Sequence, residues 1–499
     1  MSESFDLLII GGGVHGAGIA RDAAGRGLRV ALCEQGDFAG ATSSASSKLI
    51  HGGLRYLEYG ELRLVRDALH EREVLLRIAP HISRPMLFVL PHVPELRAAW
   101  MIRLGLLFYD HLSTRSTLPA SHGVDLRTSP YREPLVPGLR KGFVYADGWI
   151  DDARLVILNL KSAVQRGARI LPRTRFIGAQ PLQQGWRAKV SSDDGTITQL
   201  DARALVNAAG PWVDTVRATL SPALHARTRL VKGSHIVVPA RYAGDHAYLL
   251  QSCDRRVVFL LPFGGSHTLI GTTDVPVTSP ETPAQVDPAE IQYLCAATAR
   301  FLREPVKPEQ VVHSFSGVRA LLDDGHANPS AVTRDYALVL ERVEDAPVLS
   351  IIGGKLTTYR VLSEKALERL KPCLPAMRTE RWTGSEPLPG GELPAGGMNA
   401  LKQNLRMRYP LLPPTFLDAL AGRHGTLATE VLRDAERASD LGVDYGGGLF
   451  AREVEYLIAQ EWVRCAQDVL WRRTKAGLHV RGVMVDRLEQ FMRGHTGLG

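Results

Sequence analysis

Lys48, His51 and Arg55 follow a run of small residues in the stretch GATSSASSKLIHGGLRYLEYGE (residues 40–61), with Gly52 and Gly53 between them. Small side chains let a backbone approach a ligand closely, and a Lys, a His and an Arg together imply a negative charge nearby. Thr42, Ser43, Ser44, Ser46 and Ser47 can donate hydrogen bonds to a phosphate or a ring carbonyl without adding bulk. Upstream, Gly11, Gly13 and Gly16 form G-x-G-x-x-G, and Glu34 lies 18 positions past Gly16. In that pattern one glycine permits a tight turn, one lets the main chain touch a pyrophosphate, and one packs a helix against a strand. An acidic side chain at the later point binds ribose hydroxyls, which favours an unphosphorylated ribose over NADP.

The elements that must position these residues are legible around them. FDLLII (residues 5–10) is an apolar run suited to a buried parallel strand, GGGVHGAGIARDAAGRG a turn and helix, and LRVALCE a second strand ending in Glu34. The small-residue loop should leave the carboxyl edge of such a sheet, where ligands lie in open α/β folds. ARALVNAAGPWVD (residues 202–214) reads as a strand ending in Gly210, with Pro211 opening a helix where its missing N–H costs nothing. In LSIIGGKLTTYR (residues 349–360) a strand meets Gly353 and Gly354, and a helix is expected from Thr357 or Thr358. The positive end of that helix, with Lys355 at its mouth, suits a group that becomes negatively charged.

Several stretches, DLLIIGGGVHGAGIARDAAGRGL, ATSSASSKLIHGGLRYLE, NAAGPWVD, KGSHIVVP, IGTTDV, SGVRAL and GGKLTTYR, occur in an order that resembles the FAD-dependent glycerol-3-phosphate dehydrogenases. Among these the sequence is most similar to the bacterial aerobic, quinone-linked type, within the D-amino-acid-oxidase-like flavoproteins. The likeness runs from about residue 5 to about residue 480. Two positions depart from the family's pattern: His15, where Asn is more usual, and Ala208 or Ala209 in place of Thr. Both lie beside glycines that approach the cofactor.

The resemblance implies non-covalent FAD and oxidation of sn-glycerol 3-phosphate to dihydroxyacetone phosphate. Hydride would pass from C2 to flavin N5 and the electrons on to membrane quinone. It implies cofactor contacts from Gly11, Gly13, Gly16, Glu34, Thr42, Ser43, Ser44, Ser47, Lys48, Leu49, Gly210, Gly353, Gly354, Leu356 and Thr357. Substrate would be held by Arg55, Tyr56, Thr273, Asp274, Arg319 and Lys355. An Arg offers a planar fork matched to phosphate oxygens, and Arg319, expected at a strand end or turn, would join Arg55 and Lys355 in gripping a phosphomonoester. His235 and His51 are the candidate bases, with His235 preferred because KGSHIVVP belongs to the roof over the substrate. Arg319 and Lys355 could also polarise the oxygen directly. An oxygen-using glycerol-3-phosphate oxidase, and an amine or amino-acid oxidase of the same fold, are the alternatives.

The expected fold is α/β plus α+β. It comprises a Rossmann-like FAD-binding domain (residues 1–80, 140–230 and 330–385), an antiparallel-sheet substrate domain (81–139 and 231–329) and a C-terminal helical cap (386–499). RWTGSEPLPGGELPAGGMN (residues 381–399) reads as the linker before the cap. The 499 residues, 45% hydrophobic and 22% charged, allow ample core. The formal net charge of +8 invites nucleic acid, an anionic membrane or an anionic substrate. Because the charges form no Lys/Arg tract, nucleic acid is not expected.

Five scattered cysteines without a C-x-x-C pair suggest a reducing compartment and no metal. No H-E-x-x-H or G-x-S-x-G occurs, against hydrolase chemistry. The start MSESFDLLII lacks a signal-peptide pattern, and no apolar run reaches the ~18–20 residues of a spanning helix. An intracellular protein whose membrane contact is peripheral is therefore expected; the resemblance implies the cytoplasmic face of the inner membrane, with a homodimer left open. ELRAAWMIRLGLLFYDHLSTR (residues 95–115), large apolar groups rimmed by Arg97, Arg103 and Arg115, suits either an anionic lipid bilayer surface or a buried core helix, and the resemblance to a quinone-linked enzyme favours the first.

Overall fold

The computed structural model describes residues 3–113, 118–224, 227–252, 254, 256–281, 284–323, 336–378 and 380–496, with Arg55, Glu58, Tyr59 and Thr496 described in the main chain only. FDLLII forms most of the strand Glu3–Ile10, whose Leu7, Leu8 and Ile9 are completely buried. A strand covered on both faces belongs at the centre of a parallel sheet. Here Leu7 lies opposite Ala204 of Ile197–Asn207 on one side and Val30 of Val30–Cys33 on the other, both parallel. Ala346–Ile352 and Arg169–Leu171 extend the parallel sheet, and Ala337–Val343 closes one edge antiparallel. A hairpin, Thr174–Leu182 with Gly185–Ser192, pairs onto the early half of Ile197–Asn207 and completes eight strands. Helices Val14–Gly25, Asp152–Val164 and Tyr359–Leu370 pack on this sheet in one apolar cluster.

The second sheet has ten strands and is antiparallel except where Ala247–Gln251 runs parallel to Ser83–Pro91. Thr228–Pro239 carries KGSHIVVP and pairs along its length with His313–Leu322, which carries Arg319. The expected boundary at residue 140 is corrected here. Lys141–Ile150 pairs with Ser83–Pro91 and with Leu49–Ile50, so all three strands belong to the second sheet. A short apolar strand does not announce which of two sheets it joins; only the long-range register does.

Beyond residue 396, helices Gly397–Arg408, Pro414–His424, Ala451–Glu461 and Val483–Thr496 gather around their own core, which includes Phe416, Leu417 and Leu457. The preceding Pro/Gly-rich stretch is no loose linker. Leu388 is fully buried and its amide donates to Ile78 O at 2.8 Å, while Arg21 donates to Thr383 O at 3.3 Å and Glu386 O at 2.8 Å.

The C-terminal domain is fastened to the first sheet's helices by charge. Arg154, on Asp152–Val164, forms a two-bond pair with Glu461. Burial alone would raise the Glu461 carboxyl, but Arg154 foremost, with His424 and Lys161, holds it down to about 2. Its contribution is therefore complete above the ordinary carboxylate range and fades only as pH falls toward 2. Replacing Arg154 by Met strands a buried carboxylate, an expected loss of about 3–5 kcal/mol. It should appear as an early urea transition that Arg154→Met/Glu461→Met largely removes.

Candidate active site

A cavity of about 670 Å³ opens at the carboxyl end of Glu3–Ile10, walled by the two sheets and by part of the C-terminal domain. Its floor is the glycine turn. Gly11 has φ +110°, and a Cβ there would sit 2.5 Å from Ala208 O; one at Gly16 would sit 1.9 Å from Gly11 O. Gly16 therefore presses helix against strand and, against expectation, does not line the cavity, whereas Gly11 and Gly13 do. Glu34 is aimed by the main chain, its carboxylate accepting from Gly12 N at 2.7 Å and Gly36 N at 2.8 Å. Burial raises its pKa against those two bonds. A directed acceptor beside a bare glycine turn at a helix start matches a dinucleotide's ribose and diphosphate.

The small-residue loop forms the adjoining wall, with Thr42, Ser43, Ser47 and Leu49 lining the cavity. Ser43 Oγ accepts from Val14 N at 3.0 Å, and Thr42 donates to Val318 O at 2.5 Å, tying the loop to both sheets. Two expected contacts are corrected. Lys48 is 1% exposed and turned beneath the loop, where its ammonium donates to both oxygens of Asp152 (3.0 and 2.9 Å) and to Ser44 O (3.0 Å). Neither Lys48 nor Ser44 lines this cavity. Burial pushes the Lys48 pKa down and Asp152 pulls it back, so its charge is committed to holding the loop.

Across the cavity, Gly210, Gly353, Gly354, Leu356 and Thr357 all line the wall as expected, with positive φ at the three glycines. A 3₁₀ turn, Leu356–Thr358, leads into the helix Tyr359–Leu370. His15 packs under this turn: a Cβ on Gly354 would lie 2.7 Å from its ring. Burial lowers the His15 pKa to about 4, against a hydrogen bond with the Lys355 main chain, so the ring is neutral at physiological pH. The sequence offered His15 only as a departure from a pattern; its place beneath Gly354 depends on two segments far apart in the chain.

His235 and His51 both line the cavity. His235 is 3% exposed, stacks on Phe315 (centroids 5.0 Å apart, planes at 19°) and has Nε2 2.8 Å from Ser47 Oγ. Burial first, then Lys48 and Arg319, lower its pKa to about 3. His51 is set by its neighbours. Its amide donates to Thr357 Oγ1 at 3.2 Å, and Gly52 N donates to Tyr109 OH at 2.8 Å, itself bonded to Asp147.

Arg319 lies within a strand, opposite Val231, rather than at a strand end. It faces the cavity and pairs with Asp274. Lys355 also lines the cavity, with its ammonium 3.7 Å from the centre of the Tyr56 ring. Asp274 is thus the counter-ion of Arg319. Thr273 is turned away, donating to Glu290 at 2.6 Å and accepting from Ser234 N at 2.9 Å, and it is Thr272 that lines the cavity. The Arg55 side chain lies outside the described residues. Cys465, Gln467, Asp468 and Arg472 form the remaining wall, unforeseen because nothing local marks a contact made from more than 400 residues away.

The family model for FAD dependent oxidoreductases (DAO) matches residues 6–360, well over half the chain. The chain belongs to the FAD dependent oxidoreductase family. A second family model, the C-terminal domain of alpha-glycerophosphate oxidase, matches residues 382–493. The protein is 48% identical to a D-erythritol 1-phosphate dehydrogenase of Brucella abortus (strain 2308), over 96% of this chain and 95% of the relative. It is 47% identical to a glycerol-3-phosphate dehydrogenase of Pseudomonas aeruginosa (strain PAO1), over 99% and 96%. The crystal structure of a Bacillus halodurans glycerol-3-phosphate dehydrogenase complexed with FAD superposes with TM-score 0.76 at 26% identity, covering 99% of this chain and 91% of that one. The resemblance read from the motifs is borne out, as is the cofactor of this FAD dependent oxidoreductase.

The residues present fit FAD: a glycine cradle that a Cβ would fill, a directed carboxylate at Glu34, and a second glycine turn at a helix start. Gly11→Ala puts a methyl against Ala208 O at a left-handed φ. It should yield protein with little bound FAD, read as the ratio of visible flavin absorbance to protein absorbance.

Proposed function

We propose that the protein oxidises a secondary alcohol of a small polyol phosphate, glycerol 3-phosphate first, and passes the electrons to a membrane quinone. The observation that carries this reading is the joint presence of Arg319, Lys355 and a neutral His235 on the wall of one cavity. A phosphomonoester needs paired cationic donors, and Arg319, held in orientation by Asp274, presents its fork to that space. The names of the two relatives, both phosphorylated polyol dehydrogenases, support the same class.

Bound FAD supplies a two-electron acceptor for the hydride leaving the carbinol carbon. The chain's own residues handle the proton and the charge. His235 is neutral because burial and two neighbouring cations disfavour its protonated form. It can take the hydroxyl proton as the C–O bond acquires carbonyl character, with Ser47 Oγ on its Nε2 fixing the ring. Lys355 and Arg319 offset the negative charge that builds on the substrate oxygen. The Gly353–Gly354 turn and the start of Leu356–Thr358 present main-chain donors where the reduced ring would be negative.

A second substrate within the same class has a specific observation behind it, the 48% identity to the D-erythritol 1-phosphate dehydrogenase. The longer tetritol differs by one hydroxymethine, and Arg319 and Lys355 would serve either phosphate. Anaerobic mixing separates the readings. Glycerol 3-phosphate should bleach the visible flavin band, glycine should not, and D-erythritol 1-phosphate is compared by kcat/KM. A flavin that ignores both phosphates rejects the proposal, and peroxide produced in air at the turnover rate would make the protein an oxidase. Arg319→Ala should weaken saturation by roughly 100-fold, about 2.7 kcal/mol. At saturating substrate the reduction rate should stay level from neutral down to about pH 5, since His235 remains deprotonated there. An acid limb near the ordinary histidine value of about 6.5 would remove His235 as the base.

The quinone and bilayer readings rest on the helix Ala99–His111. Ile102, Leu106 and Tyr109 are buried, while Trp100 (68% exposed), Phe108 (58%), Met101, Leu104 and Leu107 form an outward apolar face. Large apolar groups beside Arg97 and Arg103 on a chain of net charge +8 suit the interface of an anionic bilayer. Among the described residues no helix is long and apolar enough to cross a membrane, so the proposed contact is peripheral, on the cytoplasmic face. Trp100→Glu/Phe108→Glu should abolish flotation with anionic liposomes while leaving FAD content and anaerobic bleaching intact. Unchanged flotation would reject the surface.

A further inference from the structure

The cofactor cavity is completed by the part of the chain that lies beyond the FAD dependent oxidoreductase match. Cys465, Gln467, Asp468 and Arg472 line it alongside Asp37, Gly40 and Arg173. Arg472 and Arg473 belong to a π-helical turn, Asp468–Arg473, whose widened backbone lets consecutive arginines reach the same carboxylate. Arg473 is completely buried and used up internally, donating to both oxygens of Asp37 at 2.8 Å and to Glu461 O at 2.7 Å. Arg472 pairs with Asp37 through Nε and with Asp468 through Nη2, yet its side chain keeps 16% of its surface open. Among the described residues nothing accepts from its Nη1.

Guanidiniums and carboxylates are interleaved here, with Glu461 3.9 Å from Arg473 beside the two aspartates. Asp37 and Asp468 face three guanidiniums, since Arg173 also donates to Asp468 at 2.8 Å. The glycine turn across the cavity has meanwhile spent two amides within the chain, Gly12 N on Glu34 and Val14 N on Ser43. A diphosphate lying along that turn would gain from a cation supplied by another element. Arg472 is one of four arginines lining the cavity, with Arg173, Arg175 and Arg319, and the one that the C-terminal domain contributes.

We propose that Arg472, braced by Asp37 and Asp468, is a binding residue for the ADP half of FAD, so that the C-terminal domain latches the cofactor in place. Asp37 joins the two halves of this latch: it follows the strand Val30–Cys33 that ends at the ribose-facing Glu34, and it receives both arginines of the distant turn. Phe38 beside it is fully buried and meets Trp462 edge-on, with centroids 5.3 Å apart, which seats the C-terminal domain against the same loop.

The test uses the full-length holoenzyme. FAD release after dilution, followed by flavin fluorescence, should be at least tenfold faster in Arg472→Gln. FAD rebinding to deflavinated native enzyme should be inhibited by free ADP, and that inhibition should weaken at least tenfold in the variant, whereas FMN binding stays unchanged. Release and ADP inhibition at native values would overturn the proposal. So would an equal loss of FAD and FMN binding, which would place the damage at the ring end or in the fold at large. If Arg472→Gln does not fold, Arg472→Lys, which keeps the charge but not the fork, decides: release at the native rate overturns the proposal and faster release with unchanged FMN binding sustains it.

Discussion

The buried pair of Lys48 and Asp152 carries more of this structure than its two side chains suggest. Asp152 opens the helix Asp152–Val164 under the first sheet, and Lys48 ends the loop that crosses to the second sheet at Leu49–Ile50. Ser46 binds the same carboxylate at 2.7 Å, and the next residue, Ser47, carries the hydroxyl that meets His235. One ion pair thus fixes the loop that walls the cofactor and the hydroxyl that orients the roof histidine. It also sets electrostatics, because Lys48 lies 5.1 Å from the Phe315 ring on which His235 stacks. Removing either partner would leave a charge in a dry place, so the arrangement is held from both ends.

The same economy of charge runs through the site. Most cations here are matched inside the protein: Lys48 by Asp152, Arg72 by Asp147, Arg154 by Glu461, Arg473 by Asp37. The arginines facing the cavity differ in being incompletely enclosed. Arg319 pairs with Asp274 but keeps 28% of its side-chain surface, against none for Arg473. That contrast separates the arginines that hold the architecture together from those available to an incoming anion.

Sequence reasoning reached the parts of the molecule that are built locally. The strand, glycine turn and helix at the N-terminus, and the Gly353–Gly354 turn before a helix, follow from short-range sterics and were read correctly to within a few residues. What it misassigned were facts of direction. A lysine after a run of serines reads as a ligand contact, yet its Cβ points away from the cavity once φ turns positive at +59°. Thr272 and Thr273 are indistinguishable in composition, and the irregular connection between the strands His267–Gly271 and Val275–Val277 sends only the first to the cavity side. Lys141–Ile150 carried no mark of which sheet would take it. Arg472 was invisible, and His15 visible only as an unusual residue, for a plainer reason: each acts through a partner segment hundreds of residues away.

The stretch between the two matched regions, residues 361–381, runs on into chain that is buttoned down at Thr383, Glu386 and Leu388. A hinge needs slack, and here the would-be slack is spent on contacts with Arg21 and Ile78. The two modules are thereby joined by packed chain rather than by a free tether, and what seats one on the other is side-chain contact rather than the reach of a leash.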